Sequence, residues 1–497
     1  MIVVSLGRTR PSAFREGHQQ LADAGAKVVE LRVDWVRNKP DIGRLLKDRP
    51  TPVVVTCRRR EDHGKWTGNE QQRQAVLREA IVGGAEYVDI EEDIARAIPR
   101  YGDTKRIISY HNFDETPSDL DAIYQRMTAC DADIIKIVTM AVTPSDNLKI
   151  LEMAKKAERP TVAFCMGEYG LPSRILCAQA GAPFTYAGFS SQREMAPGQL
   201  TFAETRNLYG FNRITKNTRV FGVIGDPIAH SLSPLLHNSA FRKTGFDGVY
   251  LPLKIPAEQM TQSLRDYRRL GFEGFSVTIP HKEAAIEFAD EPDLQADLIG
   301  ASNTLHFQEE KWHATNTDYD AIIETLLHTM SESLVERPSL NGKKVLIMGA
   351  GGVARAAVCA MIQEKALVTI TNRTRKRAAD LAAEMGCQTV GWENRASETI
   401  DILINCTSVG MSPAMNETPF EQHWLHESML VFDTVYTPEN TLLLKHARER
   451  GCVTASGIEM FVRQAARQFE LFTGQSAPVD YMTETLRKFL SVSRGTR

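Results

Sequence analysis

Over the first part of the chain, eight short β-branched runs alternate with helical stretches: IVVSL, KVVELRVD, PVVVTC, YVDI, RIISYH, DIIKIV, TVAFCM and FTYAG. Strands that alternate with helices imply right-handed βαβ units around a parallel sheet. Eight of them in about 200 residues fit a compact (β/α)8 barrel, whose functional groups gather at the C-terminal strand ends. Polar residues obey that rule here: Glu30 and Arg32 fall near the end of the second run, Arg58 after the third and His111 after the fifth, with Lys136 within the sixth and Arg174 in the loop after the seventh. A doubly wound sheet also explains the alternation, but it does not ask each strand end to carry a polar group.

The pattern restarts near NRITKNTRVFGVIGDP. A second βα series follows: VFGVIG, a helix from about Pro234 to Thr244, GVYLPLKI, a helix to Leu270, GFSVTIP, and, after Asp318, a helix to about Met330. The polar connector SESLVERPSLNG then leads to the strand Lys344 to Met348 and to GAGGVA, that is Gly349, Ala350, Gly351, Gly352, Val353 and Ala354, opening a helix. This is a dinucleotide fingerprint in its strand-turn-helix context: Gly349 makes the tight turn, Gly351 lets backbone approach a pyrophosphate, and Ala354 permits close packing. Helix N-terminal amides then face the phosphates. An NAD site would place an acid at the end of the next strand, about 20 residues on; this chain has Asn372, Arg373 and Thr374 there, with Arg375 and Arg377 next. Guanidinium groups suit a 2'-phosphate, so the cofactor expected is NADP. The helix from Gly457 to Gly474 spaces Phe461, Ala465, Phe469 and Phe472 as a core face and takes the chain back to the first lobe of its second half. The expected divisions are 1–212, 218–330 completed by 458–490, and 338–457.

At 497 residues the chain exceeds one ordinary core. Its formal net charge of -3, from 59 basic and 62 acidic residues, gives no reason to expect nucleic acid or an anionic membrane as partner. The 8 cysteines are scattered, with no CxxC pair or metal-ligand spacing. No apolar run approaches the roughly 20 residues that span a bilayer, and the N-terminus enters IVVSL without a basic leader. A cytoplasmic location is expected, with small molecules as the partners and oligomeric state left open.

Two lysines stand out: Lys136 interrupts DIIKIV, and Lys282 follows SVTIPH. An amine forced toward an apolar strand end loses hydration, which disfavours its charged form and moves it toward a reactive range.

Residues 1 to about 205 resemble type I 3-dehydroquinate dehydratase through ELRVDW, VVTCRR, ISYHNF, DIIKIVTM, MGEYGLPSR and APGQ. Residues from about 219 to 490 resemble shikimate dehydrogenase through IGDPIAHSLSPLLHN, GFSVTIPHKEAA, GASNT, TNTDYDA, GAGGVARAA, TNRTRKRA and GIEMFVRQAA, in that order. Fusion in this order looks like the bifunctional family known in plants. It implies an α/β chain with a (β/α)8 barrel, an α/β substrate lobe and a Rossmann NADP lobe. The implied reactions are consecutive steps of the shikimate pathway: 3-dehydroquinate to 3-dehydroshikimate, then to shikimate.

For the barrel, the resemblance implies a Schiff base on Lys136 with His111 as general acid and base. Asp62 stands where the family has a glutamate orienting that histidine. Glu30, Arg32 and Arg58 match residues that grip substrate hydroxyls, Arg174 one that binds the carboxylate, and Gln199 a lid residue. Met195 replaces a frequent serine, so an altered lid contact is expected. For the second half, Lys282 and Asp318 match the catalytic pair, Ser231 and Ser233 the carboxylate site, and Thr278, Asn303 and Gln464 the ring-hydroxyl site, with Tyr436 lining it. As structural roles, Ser233 could cap the helix beginning at Pro234 and Asn303 could be a turn residue. Ser276 replaces a frequent asparagine, and Tyr319 a glycine, where its bulk would narrow the pocket or alter lobe closure. Alternatives within the same resemblance are a dormant half, quinate as substrate, or a metabolite-binding pseudoenzyme; the last is expected to lose Lys136, His111, Lys282 or Asp318, and all four are present.

Overall fold

The structure is a computed structural model that describes residues 1–37, 39–190, 196–333, 337–397 and 399–495. It divides into two compact units, Met1–Val220 with Asp247–Phe272, and Phe221–Phe246 with Glu273–Arg497. Met195 lies outside the described residues.

The first unit holds eight parallel strands: β1 (Ile2–Leu6), β2 (Val28–Arg32), β3 (Val53–Thr56), β4 (Tyr87–Glu91), β5 (Lys105–His111), β6 (Ile134–Met140), β7 (Thr161–Met166) and β8 (Thr185–Gly188). Their ladders run β7-β6-β5-β4-β3-β2-β1-β8, a nearly closed (β/α)8 barrel in which β1 pairs with β8 and β7 and β8 are the two edges. Side chains alternate faces along a strand, so each strand contributes every second residue to the interior. Val3, Val28, Val54, Tyr87, Ile107, Ile134 and Val162, one from each of β1 to β7, pack with Phe184, just before β8, in one apolar cluster. Two residues further along β1 to β6 stand Ser5, Glu30, Thr56, Asp89, Ser109 and Lys136, all buried. An apolar floor thus carries a polar layer toward the C-terminal strand ends. The strand β9 (Arg219–Gly225) ends this part of the chain, and β10 (Gly248–Lys254) with the helix Met260–Arg269 packs back within the first unit, through Lys254 with Glu168 and Arg269 with Glu152.

The helix Glu70–Val82 shows how sequence sets both a boundary and a face. Asn69 Oδ1 accepts from Gln72 N at 2.9 Å while Asn69 N donates to Gln72 Oε1 at 3.1 Å, a reciprocal cap that fixes the first turn. Its buried stripe is Arg73, Val76, Leu77, Ala80 and Ile81, at helical spacing. Arg73 is fully buried among apolar neighbours because it has somewhere to go: Nη1 donates to Cys57 O at 2.8 Å and to Glu91 Oε2 at 2.7 Å, and two further bonds reach Glu70.

The second unit contains two sheets. The first runs β9, β11 (Phe272–Val277), then, two places on in the chain, β13 (Thr304–Gln308), β14 (Lys311–Thr315) and the short β12 (Glu291–Pro292). The second comprises β15 (Lys344–Met348), β16 (Leu367–Thr371), β17 (Gln388–Thr389), β18 (Ile402–Asn405), β19 (Leu430–Asp433) and β20 (Val453–Ser456), all parallel in the order β17-β16-β15-β18-β19-β20. That order reverses at β15, the switch point where open α/β sheets bind ligands. The helix Gly457–Thr473 leaves β20 and packs on the other sheet: Phe472 stacks on Phe221 at 5.1 Å and Phe469 lies 5.7 Å from Phe241. Among the described residues no helix is long and apolar enough to cross a membrane.

Removing Arg73 leaves the buried Glu91 carboxylate with one guanidinium where it had two. Arg73→Ala is expected to destabilise the barrel's unfolding transition by about 3–5 kcal/mol, measured by urea denaturation followed by circular dichroism.

Candidate active sites

In the barrel, Lys136 points inward from β6 and donates to Asp89 Oδ2 at 2.9 Å. Asp89 Oδ1 accepts from Arg58 at 2.8 Å and from Ser109 at 2.7 Å, and Arg58 turns its other nitrogen to Glu91 at 2.7 Å. Glu91 is in turn held by Arg73. Burial alone would push the Asp89 carboxyl up, but Arg58 and Lys136 outweigh it and hold it well below the usual carboxylate range. The Arg58 guanidinium, despite its own burial, is raised by Asp89, Glu91 and Glu30. The amine expected among apolar groups instead meets an ion pair and the face of Tyr186, with Nζ 4.1 Å from the ring centroid, while Ile135 and Ile137 of the same strand point to the other face.

His111 is the last residue of β5, two positions on from Ser109, so both face inward. Burial, then Arg58 and Lys136, push its imidazole well below the usual histidine range. It is neutral at pH 7 and able to take a proton. Its ring lies parallel to Phe113, which stacks on His63. Its Nδ1 has no hydrogen-bond partner among the described residues. Asp62, placed beside it by the resemblance, is instead paired with Arg59 at 2.6 Å.

Glu30 accepts from Ser5 at 2.6 Å and Thr56 at 2.7 Å. Arg32 makes a bidentate pair with buried Asp34, both bonds 2.9 Å. Arg174 sits inside the short helix Leu171–Leu176 rather than in a loop, because Pro172 at the start of that helix sets its first turn; the guanidinium lies 4.6 Å from the Phe164 ring centroid. Gln199 is buried near Gly188, where an added Cβ would come within 3.3 Å of its Oε1.

In the second unit, Lys282 opens the helix Lys282–Phe288 and pairs with Asp318 in the first turn of the helix Thr317–Glu332. Both side chains are nearly buried, at 11% and 6% exposure. Asn316 caps the second helix by accepting from Asp318 N at 3.1 Å, which fixes the direction of the carboxylate. Asn303 stands at the bend that leads into β13, and its Oδ1 accepts from Thr304 Oγ1 and Thr317 N, each at 2.8 Å, tying that bend to the helix. Ser233 does not cap its helix, since it is the first helical residue and makes no capping bond; Ser231 Oγ accepts from Ser233 N at 3.3 Å. Thr278 is half-buried, Tyr436 stacks on Phe461 at 4.2 Å, and Gln464 is buried with Nε2 donating to Phe461 O at 2.7 Å. Tyr319 packs into the hydrophobic cluster that contains Ala354 and Cys359.

The glycine loop after β15 has the shape a dinucleotide needs. Gly349 has φ +122 and an added Cβ would meet Cys406 O at 2.8 Å, so only glycine fits there. At Gly351, by contrast, an added Cβ meets nothing within 4 Å: that side of the backbone is open. Ala354, in the first turn of the helix Gly352–Gln363, is fully buried. Past β16, Asn372 Nδ2 donates to Thr374 O at 3.1 Å, and Arg373, Arg375 and Arg377 are exposed with no ion pair among the described residues. These residues fit a phosphorylated dinucleotide, with guanidinium groups free to meet a 2'-phosphate.

Sequence reasoning missed Asp34, Arg73, Asp89, Glu91, Ser109 and Gln468. Asp89 was accessible through the period of two that links it to Tyr87 and Glu91 on β4. Gln468, which accepts from Ser276 at 2.6 Å and donates to Asn303 O at 3.1 Å, follows Gln464 by one helical turn.

A barrel with a buried lysine and a two-lobed unit with a nucleotide loop define an α/β enzyme of two centres. Residues 2–216 match the type I 3-dehydroquinase family, residues 223–305 the shikimate dehydrogenase substrate-binding domain, residues 330–438 the shikimate/quinate 5-dehydrogenase family and residues 457–487 the shikimate 5'-dehydrogenase C-terminal domain. A chloroplastic bifunctional 3-dehydroquinate dehydratase/shikimate dehydrogenase of Arabidopsis thaliana is 40% identical over 94% of this chain and 81% of its own length. A shikimate biosynthesis protein of Chlamydia pneumoniae is 32% identical over 93% of each. A crystal structure of a shikimate dehydrogenase in complex with NADP+ superposes with TM-score 0.52 at 32% identity, over 56% of this chain and 97% of that one. The chain belongs to the family of bifunctional 3-dehydroquinate dehydratase/shikimate dehydrogenases.

The loop and the lysine of the second unit touch. A Cβ added at Gly352 would lie 2.6 Å from Lys282 Cδ. Gly352→Ala is expected to shift Lys282 off Asp318 and lower turnover at this centre by about 10²-fold, with turnover at the barrel centre retained, as steady-state assays of each would read.

Proposed function

We propose that the chain carries out two consecutive steps of the shikimate pathway, dehydrating 3-dehydroquinate to 3-dehydroshikimate in the barrel and reducing 3-dehydroshikimate to shikimate with NADPH in the second unit. The observation that carries this reading is the coexistence of two enclosed lysine–aspartate pairs, Lys136–Asp89 beside a neutral histidine and Lys282–Asp318 beside a dinucleotide loop. The division of labour follows 1–212 for the first activity, and 218–330 with 458–490 and 338–457 for the second. The eight cysteines are all free, which suits a reducing compartment such as the cytoplasm.

At the barrel centre, the Lys136 amine attacks the substrate ketone once its proton has left. The resulting iminium draws electron density from the neighbouring carbon, acidifying its C–H bond and allowing the β-hydroxyl to depart. His111, held neutral, takes the proton and returns it to the leaving hydroxyl. Asp89 stays ionised throughout, so the positive charge that moves from ammonium to iminium keeps a fixed counter-ion in a water-poor site. Arg174 supplies a fork for the substrate carboxylate, and Glu30, Arg32 and Arg58 face its hydroxyls.

At the second centre, NADPH when bound supplies the hydride. Lys282 stabilises and protonates the oxygen that becomes negative, and Asp318 fixes the amine. Ser231 and Ser233 receive the carboxylate, while Thr278, Asn303, Tyr436 and Gln464 line the ring site. Gly349 to Ala354 form the pyrophosphate turn. Asn372, Arg373, Thr374 and Arg377 receive the 2'-phosphate end of the cofactor.

Incubation with 3-dehydroquinate and NADPH is expected to yield shikimate, and borohydride with 3-dehydroquinate to leave a covalent adduct on Lys136 by peptide mass mapping; an adduct elsewhere, or none, sinks the Schiff-base assignment. Arg373→Ala is expected to raise KM for NADPH by about 10-fold or more while KM for NADH stays unchanged, because a charge-assisted contact to the 2'-phosphate is lost.

A further inference from the structure

The middle of the barrel is a hydrogen-bonded network, and the Tyr186 hydroxyl stands outside it. Ser5 and Thr56 are committed to Glu30, Arg58 and Ser109 to Asp89, and Lys136 to Asp89. Tyr186 on β8 is at the same level, two residues on from Phe184 of the apolar floor, and is buried. Its ring face receives the Lys136 amine, yet its hydroxyl has no hydrogen-bond partner among the described residues. Phenylalanine would fill the same space and hold the same cation–π contact without the cost of desolvating a hydroxyl. A buried donor left unmatched inside a reaction chamber is matched when the ligand arrives.

Placement narrows what that ligand atom is. The amine lies over the ring, 4.1 Å from its centroid, and the hydroxyl projects from the edge of that same ring. An oxygen borne by the carbon that Lys136 attacks falls within bonding reach of such a hydroxyl. Burial, together with the negative charges of Glu30 and Asp89, pushes the phenol well above its ordinary range, so it keeps its proton and acts as a donor.

We propose that the Tyr186 hydroxyl is a further catalytic group of the dehydratase centre, donating a hydrogen bond to the substrate ketone oxygen as the Lys136 amine adds to it. In that step the C–N bond forms, the carbonyl π electrons move to oxygen, and two protons end on that oxygen, the one the Lys136 ammonium loses before attack and the one nitrogen loses after it, so that the oxygen leaves as water when the iminium forms. Tyr186 gives up no proton in the balance; it stabilises the oxygen while it carries negative charge. The inference rests on Schiff-base chemistry at Lys136.

The test is Tyr186→Phe in the full-length chain, which removes one oxygen atom and keeps the ring. Three quantities are read: the single-turnover rate at which borohydride-trappable adduct accumulates on Lys136, the NADPH-dependent reduction of 3-dehydroshikimate, and the thermal midpoint of the ligand-free protein. The expected result is adduct formation slowed by about 10-fold or more, with reduction unchanged and the midpoint equal or higher. Adduct formation within about twofold of wild type overturns the proposal, as does a fall in midpoint, which would mean that the hydroxyl serves the fold. Wild-type protein that traps no adduct on Lys136 is a different failure, and it removes the Schiff-base reading on which the proposal stands.

Discussion

The Asp89 carboxylate is the interaction on which the first half of this protein depends. It sits on β4 inside the barrel, fully enclosed, where an unpaired negative charge could not persist. Arg58, Lys136 and Ser109 converge on it from beyond the end of β3, from β6 and from β5, and Glu91 and Arg73 extend the chain of charge outward. Each member is buried because the next one is. The network fixes the position of the reactive amine, and it supplies a counter-charge that needs no reorganisation when the amine becomes an iminium. The same cluster holds His111 neutral. One arrangement therefore sets the geometry of the nucleophile and the protonation state of the base.

The second unit solves a related problem by different means. Lys282 and Asp318 come from the first turns of two helices, and neither sits in a ring of strands. Their orientation is secured by caps and crosslinks: Asn316 holds the backbone of Asp318, Asn303 ties the bend before β13 to the same helix, and Gln468 joins β11 to β13 from the returning helix Gly457–Thr473. Gly352 lets the nucleotide loop lie against the lysine stem. Cofactor loop and proton donor are thus in van der Waals contact, and the absence of one methyl group permits it.

Much of the fold is legible along the chain. The alternation of β-branched runs with helices specifies the barrel because strand period and crossover handedness leave few other solutions. The glycine loop is equally legible, since Gly349 occupies a backbone conformation that other residues resist. Lys136, His111, Lys282 and Asp318 stand out in their motifs. Asp89 does not: in YVDIEED it is one acid among several, and nothing local distinguishes the buried one. Arg73 reads as a helix-surface cation until Cys57 and Glu91 are brought beneath it. The apolar sequence around Lys136 suggests an apolar environment for the amine, but adjacent strand residues point to opposite faces, so Ile135 and Ile137 say nothing about what Lys136 meets.

The amino-acid sequence by itself determined the element order and the preference for a phosphorylated dinucleotide, because those depend on local periodicity, turn residues and the sign of a few charges; the two chemistries were implied by the motifs that carry its family resemblance. Only the tertiary structure decided which charges meet. Ser109 and Lys136 pair in register across β5 and β6, and Lys136 and Tyr186 meet inside the barrel although β7 separates their strands in the chain. Such contacts span large sequence separations, and they exist only once the sheet has curved round to bring its edges together.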